Sequence, residues 1–219
     1  MLANGSYFLL FSGGAAVCRW RYLRGYLRFA ALFVLVAALG EGASYVTARI
    51  LRMPNLWMLH VYTIVEFNVI ALMYDRFFGR FYQRLLVPVS MLLFTTLAVA
   101  NSLFAQHLSE HNTHARTLES LLIIGLTLLA FHKLLADRPV AQLERHPVFW
   151  ISTGLLLYFA GSTIFFILSN RLLHGASRDV INVYWAMHSL LMALMHLLLG
   201  IGLWLSPQAA PQPAAPAMS

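Results

Sequence analysis

The chain has 219 residues, of which 60% are hydrophobic and only 11% are charged. Because a soluble domain carries about a quarter charged residues, this composition excludes the ordinary soluble classes and predicts a polytopic membrane protein of one domain. The formal net charge is +7. The basic residues stand in small groups between apolar segments, which is typical of topology determinants and not of a nucleic-acid-binding face.

Seven apolar runs predict an all-α, seven-transmembrane-helix bundle over residues 1–205. The first run, 2–18, is short and precedes a basic segment. Since a signal peptide carries its positive charge before the apolar region, we expect an uncleaved first span. Each longer run approaches the roughly 20 residues needed to cross about 30 Å of hydrocarbon. The longer runs are 27–51, 55–78, 85–106, 115–136, 148–172 and 180–205. The Pro/Ala-rich composition of 206–219 predicts a disordered tail.

Lysine and arginine are shared unequally between the two ends of the predicted helices. With the N-terminus outside, ten of the 15 lie in inner segments and five in outer segments. Because basic residues are enriched in cytoplasmic loops, we expect the N-terminus outside and the C-terminus in the cytoplasm. The expected location is the bacterial inner membrane. The five outer residues are Arg49, Arg52, Arg116, Arg171 and Arg178.

Two glutamates fall deep inside predicted spans. Glu66 lies eleven residues after Asn55, and Glu41 is about halfway along the second span, so both lie near the midplane and can approach each other. A charged side chain there costs roughly 2.5 to 3.5 kcal/mol and commonly marks a functional site. Tyr62 precedes Glu66 by four residues, which places its hydroxyl to donate a hydrogen bond to the carboxylate. Tyr45 has the same spacing from Glu41.

Other polar residues lie in the outer half of the predicted bundle. Tyr184 and His188 share one face of the last helix, Tyr158 lies near the middle of the sixth, and Glu119 stands about one turn inside the fifth. We therefore expect an outward-facing acidic pocket. The candidates for binding a ligand or a proton are Glu41, Tyr62, Glu66, Glu119, Tyr158, Tyr184 and His188; no catalytic residue is assigned.

The same features also allow purely structural interpretations. The two acids can be protonated and hydrogen-bonded between helices without any further role. Gly40 and Gly42, which flank the first acid, would permit close helix contact. Trp57, Trp185 and Trp204 match the aromatic belt found at membrane interfaces.

A metal site is an alternative. Membrane hydrolases of the ceramidase type hold zinc with histidines and acids, and His60, Glu66 and His188 are the set that would do so here. However, no compact HxxxH or HxxxD pair lies within a predicted span. His188 and His196 stand about 12 Å apart along a straight helix. We therefore expect no cofactor.

Four sequence blocks carry a family resemblance: NLWMLHVYTIVEF, RTLESLLI, HPVFWISTGLLLYFAGS and WAMHSLL. From about Gly40 to Leu198 the chain resembles an uncharacterised family of small seven-transmembrane bacterial membrane proteins. The resemblance implies a membrane module of a kind sometimes associated with sensor histidine kinases. The chain departs from the family pattern at His196, where asparagine is common. The matching positions are Asn55, Trp57, His60, Tyr62, Glu66, Glu119, Trp150, Tyr158 and His188.

Three classes of function fit these observations. We favour a receptor-like sensory or ligand-binding module whose outer pocket binds a small molecule or lipid. Because the chain shows no output domain, we expect a sensor kinase or another cytoplasmic signalling partner, besides the lipid bilayer itself. The alternatives are an intramembrane lipid-modifying hydrolase, with or without a metal, and a proton-coupled transporter. We expect no nucleic-acid partner.

Overall fold

The computed structural model describes residues 3–137, 140–175 and 177–206. Within these ranges the chain forms seven α-helices and no β-strand, so the all-α prediction is confirmed there. Each helix overlaps one predicted run. The predicted disordered tail lies outside the described residues, except for Ser206. The helices are α1 (Ala3–Arg19), α2 (Tyr26–Tyr45), α3 (Leu56–Phe78), α4 (Leu86–Ala100), α5 (Thr113–Asp137), α6 (Pro147–Gly175) and α7 (Arg178–Trp204).

Among the described residues, five helical segments are long and apolar enough to cross a membrane, as expected of a multi-pass membrane protein. Two of them continue past the α-helix into a π-helical segment, Val46–Ile50 after α2 and Asn101–Ala105 after α4. Short 3₁₀ segments follow α1 and α5. The five candidate spans are Tyr26–Ile50, Leu56–Phe78, Leu86–Ala105, Thr113–Asp137 and Arg178–Trp204.

Six helices form a closed ring. α2 packs against α1 and α3, α5 packs against α3 and α6, and α7 packs against α6 and α1. α4 lies outside this ring, mainly against α3. Inside the ring, the hydroxyl of Tyr74 on α3 lies 3.1 Å from the hydroxyls of both Thr127 on α5 and Ser152 on α6. These contacts satisfy buried polar groups and join three helices at one level.

The two ends of the bundle differ. At one end, α2 ends and α3, α5 and α7 begin; we call this the cavity end. Its interior contains buried carboxylates, Glu66 and Glu119. Towards the opposite end the packing is apolar, and Leu23, Leu134 and Leu203 are at most 2% exposed. Dense apolar packing therefore stabilises the half of the ring opposite the cavity end, and polar contacts stabilise much of the half at the cavity end.

Two half-helices at the cavity end are packed loosely. From Ala38 in α2 to Leu51, just after the π-helical segment, no side chain is buried, although this stretch includes Glu41. On α7, only Tyr184 is buried between Ser177 and Met192. Direct contact between α2 and α7 is slight, and α1 packs against both of them. Among the described side chains, the halves of α2 and α7 at the cavity end therefore make few buried contacts.

Candidate functional site

A cavity of about 430 Å³ lies at the cavity end, between α2, α3, α5, α6 and α7. Its volume falls in the usual range of small-molecule sites, about 300 to 1,000 Å³. Six of the seven predicted candidates line it. The seventh, Glu119, is fully buried beside it, behind Arg116. The six are Glu41, Tyr62, Glu66, Tyr158, Tyr184 and His188.

An ion-paired cluster forms the polar centre of the site. Nη1 of Arg116 contacts Oε2 of Glu66 and donates a hydrogen bond to Oε2 of Glu119 over 2.8 Å. The two carboxylates are 2% and 0% exposed, and the arginine is 14% exposed. The hydroxyl of Tyr62 donates a hydrogen bond to Oε1 of Glu66 over 3.2 Å, so the predicted contact between these residues is confirmed. Because one guanidinium contacts both acids, its positive charge offsets the free-energy cost of burying the two carboxylates.

Arg116 was missed as a site residue. It stands at the start of the predicted 115–136 span and was counted among the outer basic residues that set topology, so Glu66 was expected to lie near Glu41 and no basic partner was named for it. In the structure α5 begins at Thr113, two residues before the predicted start, and the Arg116 side chain contacts Glu66. The signal was in the sequence, because Arg116 and Glu119 are three residues apart and so share a helix face.

Glu41 lines the cavity but has no hydrogen bond or ion pair with the part of the chain that the structure describes. The predicted approach to Glu66 brings both acids to the same cavity, yet Glu66 is bound to Arg116 and Tyr62 instead. Tyr45 is 64% exposed and does not line the cavity, so it does not support Glu41 as expected. Among the described residues Glu41 therefore has no partner, and its carboxyl group faces the cavity.

Glycine allows α2 and α3 to meet next to the site. A Cβ added to Gly40 would lie 2.9 Å from two atoms of the Tyr62 ring, which is closer than real contacts of this kind. Close helix contact at Gly40 is therefore confirmed. A Cβ on Gly42 would meet no described atom within 4 Å, so the same expectation for Gly42 is wrong.

Aromatic side chains of α6 and α7 form an aromatic wall of the cavity. The hydroxyl of Tyr158 on α6 lies 3.3 Å from Nε2 of His188 on α7. The His188 ring also packs against Trp185, with 6.1 Å between ring centroids, and Trp185 packs edge-on against Tyr184 at 5.1 Å. Trp185 lines the cavity, so its interpretation as a membrane-interface residue missed this contact.

The deep part of the cavity reaches His196 on α7. Nδ1 of His196 lies 3.1 Å from the hydroxyl of Ser12 on α1, and both side chains are buried. This contact connects α1 to the cavity floor. The sequence suggested no special role for His196, because the family pattern commonly has another residue there.

The alternative metal set is not gathered at one point. His60 does not line the cavity; its Nδ1 lies 2.8 Å from the Ser102 hydroxyl, and its Nε2 lies 3.3 Å from the Glu110 carbonyl oxygen. His188 instead contacts Tyr158. Among the described residues, no three histidine, cysteine, aspartate or glutamate side chains are placed to hold one metal ion. His60 therefore joins α3 to the segment after α4.

Comparison with protein-family models returns no match. No curated protein and no solved structure shows significant similarity to the chain. The resemblance carried by the four sequence blocks therefore stays a prediction.

Proposed function

We propose that this protein is a receptor-like ligand-binding module of the bacterial inner membrane, with seven spans, an outer N-terminus and a cytoplasmic C-terminus. In this arrangement the cavity end faces outward. Support for the orientation comes from the excess of lysine and arginine in the segments assigned to the cytoplasmic side. Support for seven spans comes from the packing, in which α1 and α6 close a ring with four of the five candidate spans and the fifth, α4, packs against the outside of that ring.

The observation that carries the ligand-binding proposal is the cavity itself. It places fixed charges, tyrosine hydroxyls and apolar surface from five helices around one volume of about 430 Å³. The charges are held in advance by the contacts of Arg116 with Glu66 and Glu119. A ligand therefore meets polar groups that are already oriented, which lowers the entropic cost of binding.

Transmission would use the helices that line the cavity. α3, α5 and α7 all begin at the cavity end and continue to the opposite end. A ligand that binds one arrangement of α2 and α7 better than another shifts the population of that arrangement. We propose that a separate cytoplasmic partner, such as a sensor kinase, detects this shift at the opposite end.

The proposal is tested by asking what the cavity retains. Wild-type protein in maltoside micelles is incubated with a total extract of bacterial lipids and metabolites, washed and analysed by mass spectrometry. The cavity-filling variant Ser189→Trp is compared with Leu190→Trp, because Ser189 lines the cavity and Leu190 is 69% exposed. We expect at least one compound to be retained by the wild type and Leu190→Trp but lost from Ser189→Trp.

Identical retention by all three proteins, or retention of nothing, would contradict ligand binding in this cavity. Chemical conversion of a retained lipid, abolished by Glu66→Gln, would favour the intramembrane enzyme over the receptor-like module.

A further inference from the structure

We propose that the ligand of this cavity is an amphiphile with an ammonium head group and an alkyl chain. The head group pairs with Glu41 beside the aromatic wall, and the chain leaves between α2 and α7 into the bilayer. This inference rests on the proposed ligand-binding function and names the chemical class of its ligand.

The charges of the site favour a cation. Glu41, Glu66 and Glu119 contribute three carboxyl groups, while Arg116 is the one arginine or lysine among the described cavity residues. The guanidinium of Arg116 is already shared by Glu66 and Glu119, whereas Glu41 has no described partner. An ammonium group at Glu41 would complete the pairing of charges, and an anionic head group would meet an unpaired carboxylate.

The aromatic lining supports the same class of ligand. Tyr158, Tyr184 and Trp185 line the cavity together with Glu41. Aromatic faces attract ammonium groups through their quadrupole, and several aromatic rings around one volume are a common way to bind alkylated ammonium. The ring of Tyr62 already has the Arg116 guanidinium 5.9 Å from its centroid, which shows the same type of attraction within the site.

The route of the alkyl chain follows from the packing of α1. Phe11 and Ser12 of α1 lie against Gly200 and His196 of α7, so α1 packs between α7 and α2 at the level of the cavity floor. Beside the cavity, α2 and α7 are the loosely packed half-helices described above. Met192 and Met195 of α7 line the cavity. Methionine adapts its shape to alkyl chains more readily than branched residues do.

The outer surfaces of the same two half-helices are apolar. Leu39 on α2 is 73% exposed, and Val183 and Met187 on α7 are 58% and 50% exposed. These side chains face the region that lipid tails fill around a membrane protein. An amphiphile already dissolved in the bilayer can therefore enter the cavity from the side, between α2 and α7. A short water-soluble amine has no long alkyl chain to place along this route.

Binding of three probes separates the requirements for charge and chain. Dodecylammonium, dodecanoate and ethylammonium are titrated separately into the protein in maltoside micelles, and the change in tryptophan fluorescence is followed, with Trp185→Phe identifying the signal from the cavity. We expect saturable binding of dodecylammonium only. Binding of dodecanoate with similar affinity would overturn the preference for a cation, and equal affinity for ethylammonium would overturn the bilayer route.

Variants then locate the head group. Glu41→Gln should weaken dodecylammonium binding roughly tenfold or more, because a charge-assisted contact is lost. Glu144→Gln is the matched control, since Glu144 is exposed and belongs to the segment at the opposite end. Equal affinity in wild type and Glu41→Gln would overturn the assignment. If Glu41→Gln does not fold, Ser189→Trp against Leu190→Trp replaces it, and equal dodecylammonium affinity in that pair overturns the inference.

The two sets of binding measurements separate a failure of the amphiphilic-cation assignment from a failure of the proposed ligand-binding function. If dodecylammonium does not bind but an extract compound is still retained in a manner that depends on Ser189, the amphiphilic cation is wrong and ligand binding stands. If neither is observed, both fail.

Discussion

Arg116 supplies the positive charge that pairs with both buried carboxylates of the site. Two carboxylates that are 2% or less exposed contact the same guanidinium nitrogen, and Tyr62 adds a hydrogen bond to one of them. Removing the arginine would leave two acids without a cation in a poorly hydrated interior. Breaking a buried ion pair from one side is far more costly than replacing the whole group with apolar residues.

We therefore expect Arg116→Met to lower the free energy of unfolding by roughly 3 to 5 kcal/mol. Arg178→Met is the control, because Arg178 is exposed at the start of α7; its effect should stay within about 0.5 kcal/mol. The measurement is equilibrium unfolding of both variants in the same maltoside micelles.

Adding Glu66→Gln and Glu119→Gln to Arg116→Met should recover much of the loss, because no unpaired buried charge remains. If Arg116→Met is as stable as Arg178→Met, the ion-paired cluster does not contribute to folding as described.

At the scale of the helix, glycine sets how closely α6 and α7 pack. A Cβ on Gly202 of α7 would lie 2.7 Å from Cγ1 of Ile151 and 2.9 Å from the backbone carbonyl oxygen of Pro147. A backbone atom cannot move aside as a flexible side chain can, so the two helices would have to separate. Small residues at such crossings are the usual basis of close packing between membrane helices.

Gly202→Ala should therefore destabilise the protein by about 1 to 3 kcal/mol, as overpacking does in a dense interior. Gly42→Ala is the matched control in α2, where a Cβ meets no described atom within 4 Å. Since alanine favours helices over glycine by about 1 kcal/mol, Gly42→Ala should be neutral or stabilising. Thermal unfolding should give a lower midpoint for Gly202→Ala and an unchanged or higher midpoint for Gly42→Ala; an equal shift for both would refute close packing at Gly202.

The whole molecule combines a firmly packed half with a looser half that contains the cavity. The packed half is surrounded by basic residues: Arg19 donates a hydrogen bond to the Ser206 carbonyl over 2.5 Å, and Lys133 pairs with Asp137 over 2.5 Å. If this half faces the cytoplasm, local opening begins in the outward half, where α2 and α7 have few buried contacts. Regions with few buried contacts open most readily.

Fusions test this orientation directly. A fluorescent protein joined to the C-terminus should be fluorescent, and alkaline phosphatase at the same point should be inactive, because the C-terminus is expected in the cytoplasm. Inserting the same two reporters after Arg52, between α2 and α3, should give the opposite pair of results. An active phosphatase at the C-terminus would reverse the orientation and place the cavity on the cytoplasmic side.

The sequence by itself determined the class of protein and the places of the helices, since both depend on the length and hydropathy of continuous segments. Of the seven candidates that it identified, six line the cavity, because helical spacing and depth are local properties. The tertiary structure alone decided which groups on different helices pair. In the folded chain Arg116 contacts Glu66, Glu41 has no described partner, and His60 and His188 contact different groups. These outcomes depend on the rotation and contacts of helices that are distant in sequence, and the periodicity of a single segment does not specify either.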